Sequence, residues 1–200
     1  MQPYVLINAH LRSGRGELAH LDRVSVDESF LNILRDLSAM ASAGTAMASI
    51  RERLPDGEPE PKVFADAVRF FQALNTGAPP DESLITLQVR VLADLGFAPT
   101  LDQCVRCAKA PPSGRSAQFD PAQGGIVCRA CGGGRIVLGA ATLRRWMNAQ
   151  VDEEFPQEAW PDKELQQLRK ALELLDQYHA TVTVRERTVA AVPAWRGRAS

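Results

Sequence analysis

The sequence predicts a mainly α fold with a small β part: an N-terminal β-hairpin, then a helical domain carrying an inserted zinc ribbon. Three observations predict it. The chain opens on alternating apolar residues around a glycine-rich turn. Apolar stripes at helical period follow. Two CxxC pairs, the only four cysteines present, interrupt the helical series rather than hanging on one end of it. The expected boundaries are 1–27 for the hairpin, 28–103 and 136–180 for the two parts of the helical domain, 104–135 for the ribbon, and 181–200 for a disordered tail.

The hairpin is read from residues 4–12 and 17–26, with Ser13, Gly14, Arg15 and Gly16 as its turn. Two strands alone are marginal in water, so the pair must lean on the helices behind it. Its two histidines, His10 and His20, read as ordinary strand residues.

Asp27 can cap a helix beginning near Ser29, with Phe30, Leu34, Leu37, Met40, Met47 and Ile50 as its stripe. The small residues of 40–49 suit close packing, which makes this the expected central helix. Leu54 and Pro55 end it. Pro61 starts the next helix, on which Val63, Phe64, Ala67, Val68, Phe71 and Leu74 form an apolar stripe and which stops at Gly77. Asp81 opens a third, with Leu84, Leu87, Val91, Leu92 and Leu95 inward and Gly96 after its end. Beyond the ribbon, Leu143, Trp146 and Met147 mark a short helix. An acidic linker over 151–164 follows, then a last helix with Leu165, Leu168, Leu172, Leu175 and Tyr178 on one face.

The ribbon is the most specific signal. Cys104 and Cys107 are separated by twenty residues from Cys128 and Cys131. A CxxC turn aims two sulfurs at one centre, and two such turns close a tetrahedron of thiolates around one structural Zn²⁺. The intervening residues carry turns at Pro111, Pro112, Ser113 and Gly114 and at Gly124 and Gly125, with short strands at 117–119 and 126–127. Two disulfides, or a dithiol redox pair, are the competing readings. No apolar run approaches the ~20 residues of a membrane helix, and residues 1–4 lack the pattern of a signal peptide, so a cytoplasmic, nucleoid-associated location and reduced thiols are expected.

The formal net charge of −1 gives no global basic character. The ribbon differs: Arg106, Lys109, Arg115, Arg129 and Arg135 stand against Asp120 alone, so even with four thiolates and Zn²⁺ it stays positive. These five are the candidate DNA-binding residues. No phosphate-binding glycine loop, HExxH or GxSxG occurs, and His179 stands alone on its helix, so residue content argues against an enzyme.

Residues 92–107, which include Leu95-Gly96-Phe97-Ala98-Pro99-Thr100-Leu101-Asp102-Gln103-Cys104, closely resemble the passage from helix to ribbon in the bacterial recombination mediator RecO family. Residues 119–131 resemble that family's exit from the ribbon, residues 2–30 the last strands of its N-terminal domain, and Tyr178-His179 the end of its final helix. The resemblance implies an N-terminal OB barrel followed by a helical domain with the ribbon. It implies a non-enzymatic DNA repair and recombination mediator. Such a protein binds single- and double-stranded DNA, RecR and the acidic C-terminal tail of single-stranded DNA-binding protein, anneals strands and helps load RecA. An OB barrel needs five strands, and two precede the first helix here, so the hairpin reads as a remnant of that barrel, either because Met1 is internal to a longer protein or because this is a reduced member. An acidic tail ending in an apolar residue fits an apolar groove rimmed by arginine, and Arg90 beside Leu87 and Val91 is the candidate. A zinc-ribbon adaptor that binds proteins without DNA is the alternative.

Overall fold

The computed structural model describes residues 3–13, 19–54, 59–152 and 154–190. Residues 14–16 of the expected hairpin turn, and 191–200 of the expected tail, lie outside them. The chain divides into two compact units, Met1–Gly96 with Asn148–Trp160, and Phe97–Met147 with Pro161–Ser200.

In the first unit, β1 (Val5–Ser13) pairs antiparallel with β2 (Ala19–Ser29), with irregularities between Leu6 and Ile7 and between His10 and Leu11. Only its base is anchored. The Phe30 amide donates to the Tyr4 carbonyl, Phe71 sits 5.8 Å from Tyr4 and 5.7 Å from Phe30, and the Gln72 amide donates to Glu28. His10 opposes Arg23 and His20 opposes Arg12 across the ladder, so the two histidines do not face one another.

Asp27 caps nothing, because β2 runs through it. Phe30 turns inward and is buried, a 3-10 turn follows over Leu31–Arg35, and the cap is Asp36, whose carboxylate accepts from the Ser38 and Ala39 amides. Helix α1 is therefore Leu37–Arg53, and its buried face is Ala39, Ser42, Ala43 and Ala46. Leu37 and Met47, expected inward, are exposed. Helix α2 (Pro61–Asn75) starts at the expected proline, and α3 (Pro80–Asp94) starts at Pro80, one residue before the expected Asp81. The most buried helix of the unit is α3, not α1, with Ile85, Leu87, Val89, Val91 and Leu92 all enclosed.

The acidic segment is not a free linker. Phe155 joins the core formed by Ile33, Val63, Phe70, Leu74, Leu87 and Val91. The Trp160 amide donates 2.9 Å to the buried carboxylate of Glu82.

In the second unit the ribbon is a four-stranded sheet rather than one hairpin. Its strands β3 (Thr100–Cys104), β4 (Ala117–Asp120), β5 (Gly125–Ile126) and β6 (Ile136–Leu138) lie in the order β3-β5-β4-β6. Strand β5 runs parallel to β3 and antiparallel to β4. A side chain at Gly125 would stand 2.5 Å from the Thr100 carbonyl oxygen, so the crossing of β3 and β5 requires glycine there. Behind the sheet Phe119 meets Trp146 at 5.0 Å, both fully buried. Trp146 belongs to α4 (Ala140–Val151). Helix α5 (Asp162–Ala190) buries Leu168, Leu172 and Leu175 and ties back through Gln167 to Thr142 and Gly139, and through Glu164 to Arg145. Residues 181–190 are helical, which corrects the expectation of a tail from 181: no glycine or proline occurs between 162 and 190, so nothing stops the helix where its apolar stripe fades. None of the described helices is long and apolar enough to cross a membrane.

Candidate metal centre

Each pair of cysteines is presented by a turn whose backbone is closed on itself. Cys104 ends β3; its amide donates to the Lys109 carbonyl, and its carbonyl accepts from the Ala108 amide. The neighbouring Val105 amide donates to Ile126 of β5, fixing this first knuckle to the sheet. Cys128 precedes the 3-10 turn Arg129–Cys131, and its carbonyl accepts from both the Cys131 and Gly133 amides. Gly132 takes a φ of 106°, a conformation that glycine adopts without strain.

The two knuckles then face one another. The Cys128 amide donates 3.3 Å to the Cys104 sulfur, and Arg106 of the first knuckle donates 2.9 Å to the Cys131 carbonyl of the second. The sulfurs of Cys104, Cys107, Cys128 and Cys131 all lie within 4.8 Å of one another. The Cys107 and Cys128 sulfurs are 3.8 Å apart, far beyond the ~2.05 Å of a disulfide. A tetrahedron with metal–sulfur bonds of about 2.3 Å has sulfur–sulfur edges of about 3.8 Å. The cluster can therefore hold one metal ion. Cys104 is buried, Cys107 exposed, and the other two half-buried. The Cys104 thiol is pulled down to about 6, chiefly by the Cys128 amide, while the Cys131 thiol is pushed up to about 12 by its hydrogen bonds with Cys128 and Cys107. The sulfurs are thus close enough to share protons, and a cation between them would favour the thiolate form.

The expected DNA-binding residues separate into two groups. Lys109, Arg115 and Arg129, all exposed, line one concavity of about 620 Å³ beside β4 and the second knuckle. Arg106 and Arg135 do not line it. Arg106 spends its guanidinium inside the ribbon, on the Cys131 carbonyl and at 2.6 Å on Gln123. Its knuckle-tying role was missed, and its place between two ligands of one CxxC was the available signal.

Arg90 does not rim an exposed groove. It is 4% exposed, lies 4.4 Å from the centre of the Phe155 ring, and donates to the carbonyls of Ala149 and Glu154 at 3.3 and 2.6 Å. Asp66, also buried, stands 3.6 Å from it and is shared with Arg69. Burial pulls the Arg90 guanidinium below its ordinary pKa while Asp66 holds it up; Asp94 beside them is raised above its ordinary value, first by burial and then by Asp66. The reason for the misplacement is that the stripe containing Leu87 and Val91 is itself enclosed, so an arginine at position 90 is enclosed with it.

The fold and the cluster define a class: a helical scaffold carrying a four-cysteine ribbon whose donors are all protein sulfurs. Residues 34–187 match the family model described as "Recombination protein O C terminal". The chain belongs to the RecO family. It is 33% identical over 154 residues to DNA repair protein RecO of Anaeromyxobacter sp. (strain K), covering 75% of this chain and 60% of that protein. To the Myxococcus xanthus (strain DK1622) protein of the same description it is 33% identical over 132 residues, covering 66% and 53%. To that of Pelobacter propionicus it is 27% identical over 180 residues, covering 90% and 72%. The chain thus spans about 60% of the length of the first of these relatives.

Proposed function

We propose that the chain is a non-catalytic DNA repair and recombination mediator that binds DNA through its ribbon and uses one structural Zn²⁺, held by Cys104, Cys107, Cys128 and Cys131, to keep that ribbon folded. The observation that carries the reading is the convergence of Lys109, Arg115 and Arg129 on one concavity next to the cysteine cluster, in a chain of this family. Cations grouped on one face are the electrostatic footprint of a phosphate backbone. The metal is assigned as zinc because four clustered cysteine sulfurs suit a closed, non-redox structural site. The wider roles are strand annealing, RecA loading on single strands, and binding of RecR and the acidic tail of single-stranded DNA-binding protein. They rest on the family resemblance.

The adaptor reading, protein partners without DNA, is favoured by a different feature. An apolar hollow of about 600 Å³ lies between β1, α1 and α2, lined by Ile7, Met47 and Phe64 among others. A salt titration of oligonucleotide binding separates the two. The mediator binds with an affinity that falls steeply with salt, and alanine at Arg115 or Arg129 lowers the slope by about one each. Binding that is absent at low salt would leave the adaptor reading standing.

A further inference from the structure

The ribbon concavity is more than a cationic patch. Its rim is Lys109, Arg115 and Arg129, and no acidic residue lines it. Its walls are mostly apolar, with Pro112, Ile126 and Val137 among them beside the polar Ser116 and Gln118. Val137 is 54% exposed on strand β6, an aliphatic side chain left to solvent. The volume, about 620 Å³, falls within the usual range of small-ligand pockets, roughly 300–1,000 Å³. Cys128, one of the four clustered cysteines, forms part of the same wall, so the cluster also holds the concavity in shape.

Paired nucleic acid presents phosphates outward and keeps its bases stacked inside. A cationic rim suits it, but an apolar hollow between the cations has nothing to receive from it. An unpaired strand can turn a base outward, place its apolar face in the hollow and leave the flanking phosphates on the rim. Accepting the DNA reading above, on which this rests, we propose that the concavity is a subsite for one unpaired nucleobase with its two neighbouring phosphates, and that it makes the ribbon prefer single strands to duplex. The charge pattern also suits an acidic peptide with an apolar end. The single strand is favoured because three cations and no carboxylate line the concavity, a charge that successive phosphates on either side of one base match.

The test uses the full chain in its metal-loaded form with four fluorescent probes of matched charge: a thymine single strand, the same backbone with abasic sites, a duplex, and an acidic peptide ending in phenylalanine. The thymine strand is expected to bind about threefold more tightly than the abasic one, below the roughly tenfold of a base stacked on an aromatic ring, because the wall here is aliphatic. Val137→Ser removes apolar wall at an exposed position and should bring that ratio toward one, with metal content and circular dichroism unchanged. Arg115→Ala should weaken thymine and abasic strands alike. Loss of salt-sensitive binding to every oligonucleotide would overturn the DNA reading itself. Equal affinity for thymine and abasic strands, or a ratio untouched by Val137→Ser, would overturn the base subsite alone. Peptide binding tighter than the thymine strand and weakened by Val137→Ser would assign the concavity to a protein partner instead.

Discussion

Each unit fastens together segments that are distant along the chain, and the two do it by different chemistry. In the ribbon, knuckles 24 residues apart meet through sulfur, with the Cys128 amide on Cys104 and four thiols in one cluster. In the first unit, Arg90 reaches 59 and 64 residues ahead to the carbonyls of Ala149 and Glu154, and Asp66 balances its charge. A metal centre concentrates its binding energy in a few atoms and is lost as a whole. A guanidinium spreads a smaller energy over backbone acceptors and packing, and leaves a penalty when removed: buried acceptors without a donor.

The sharpest way to test that contrast is Cys128→Ser. Metal binding to such sites carries on the order of 10 kcal/mol, and it is folding free energy for the module it closes. The variant should release its metal and lose amide protection across 104–131, while the helices of the first unit keep theirs. Metal analysis with hydrogen exchange reads both. Protection lost equally throughout would show that the ribbon is not an independent fastening.

Arg90→Ala is the counterpart, with a smaller cost of about 3–5 kcal/mol, the usual result of breaking a buried charge pair. Exchange should rise over 148–160 while the metal stays bound. Arg90→Lys should not restore the loss, because an ammonium lacks the planar fork that here serves two carbonyls and faces Asp66. Full rescue by lysine in urea unfolding would mean that charge alone does the fastening.

These two fastenings also differ in how far the sequence discloses them. CxxC spacing is local, and thiolate is the chemistry a structural metal asks for, so four positions were legible without any contact known. Arg90 acts on backbone carbonyls, which carry no residue signature. Read beside Leu87 and Val91, it suggests a rim until the helix proves enclosed on that side too. The start of α1 was missed for a related reason. Asp27 and Asp36 are equally good caps locally, and the choice is made by the burial of Phe30 between them. Strands β3 and β6 stayed hidden because each is short and pairs outside any local hairpin. The concavity could not be read either: it needs Lys109, Arg115 and Arg129 brought together by the turns of the ribbon.

A smaller effect sharpens the description of the Arg90 cluster. Asp94 is raised above its ordinary pKa in the fold, and one of its oxygens is enclosed without a hydrogen-bond partner. A raised folded pKa means that the protonated form is the one favoured by folding. That contribution is present below the unfolded value of about 4 and is lost as pH rises through the folded value. Asp94→Asn resembles the protonated form at every pH. It should therefore raise Tm at pH 8, with the gap closing by pH 4. A gap of the same size at both pH values would mean that Asp94 is charged without penalty.

The smallest stability effect is expected where neither fastening exists. Strands β1 and β2 are long, yet beyond their anchored base they set apolar residues opposite one another in solvent: Ala9 against Val24, Leu11 against Leu21, and before them Val26 exposed opposite the half-buried Ile7. Leu11, Leu21 and Val26 are 65%, 58% and 59% exposed. Such a ladder gains little from folding, because its side chains leave water only partly. It also offers apolar surface and strand edges to another molecule. Leu21→Ser combined with Val26→Ser should therefore change unfolding free energy by no more than about 0.5 kcal/mol per site, the range for exposed positions. The same pair of substitutions should lower self-association in sedimentation or light scattering. A large loss of stability would show that the outer hairpin is held by packing after all. An unchanged association would move the sticky surface elsewhere, with the hollow around Met47 and Phe64 as the next place to substitute.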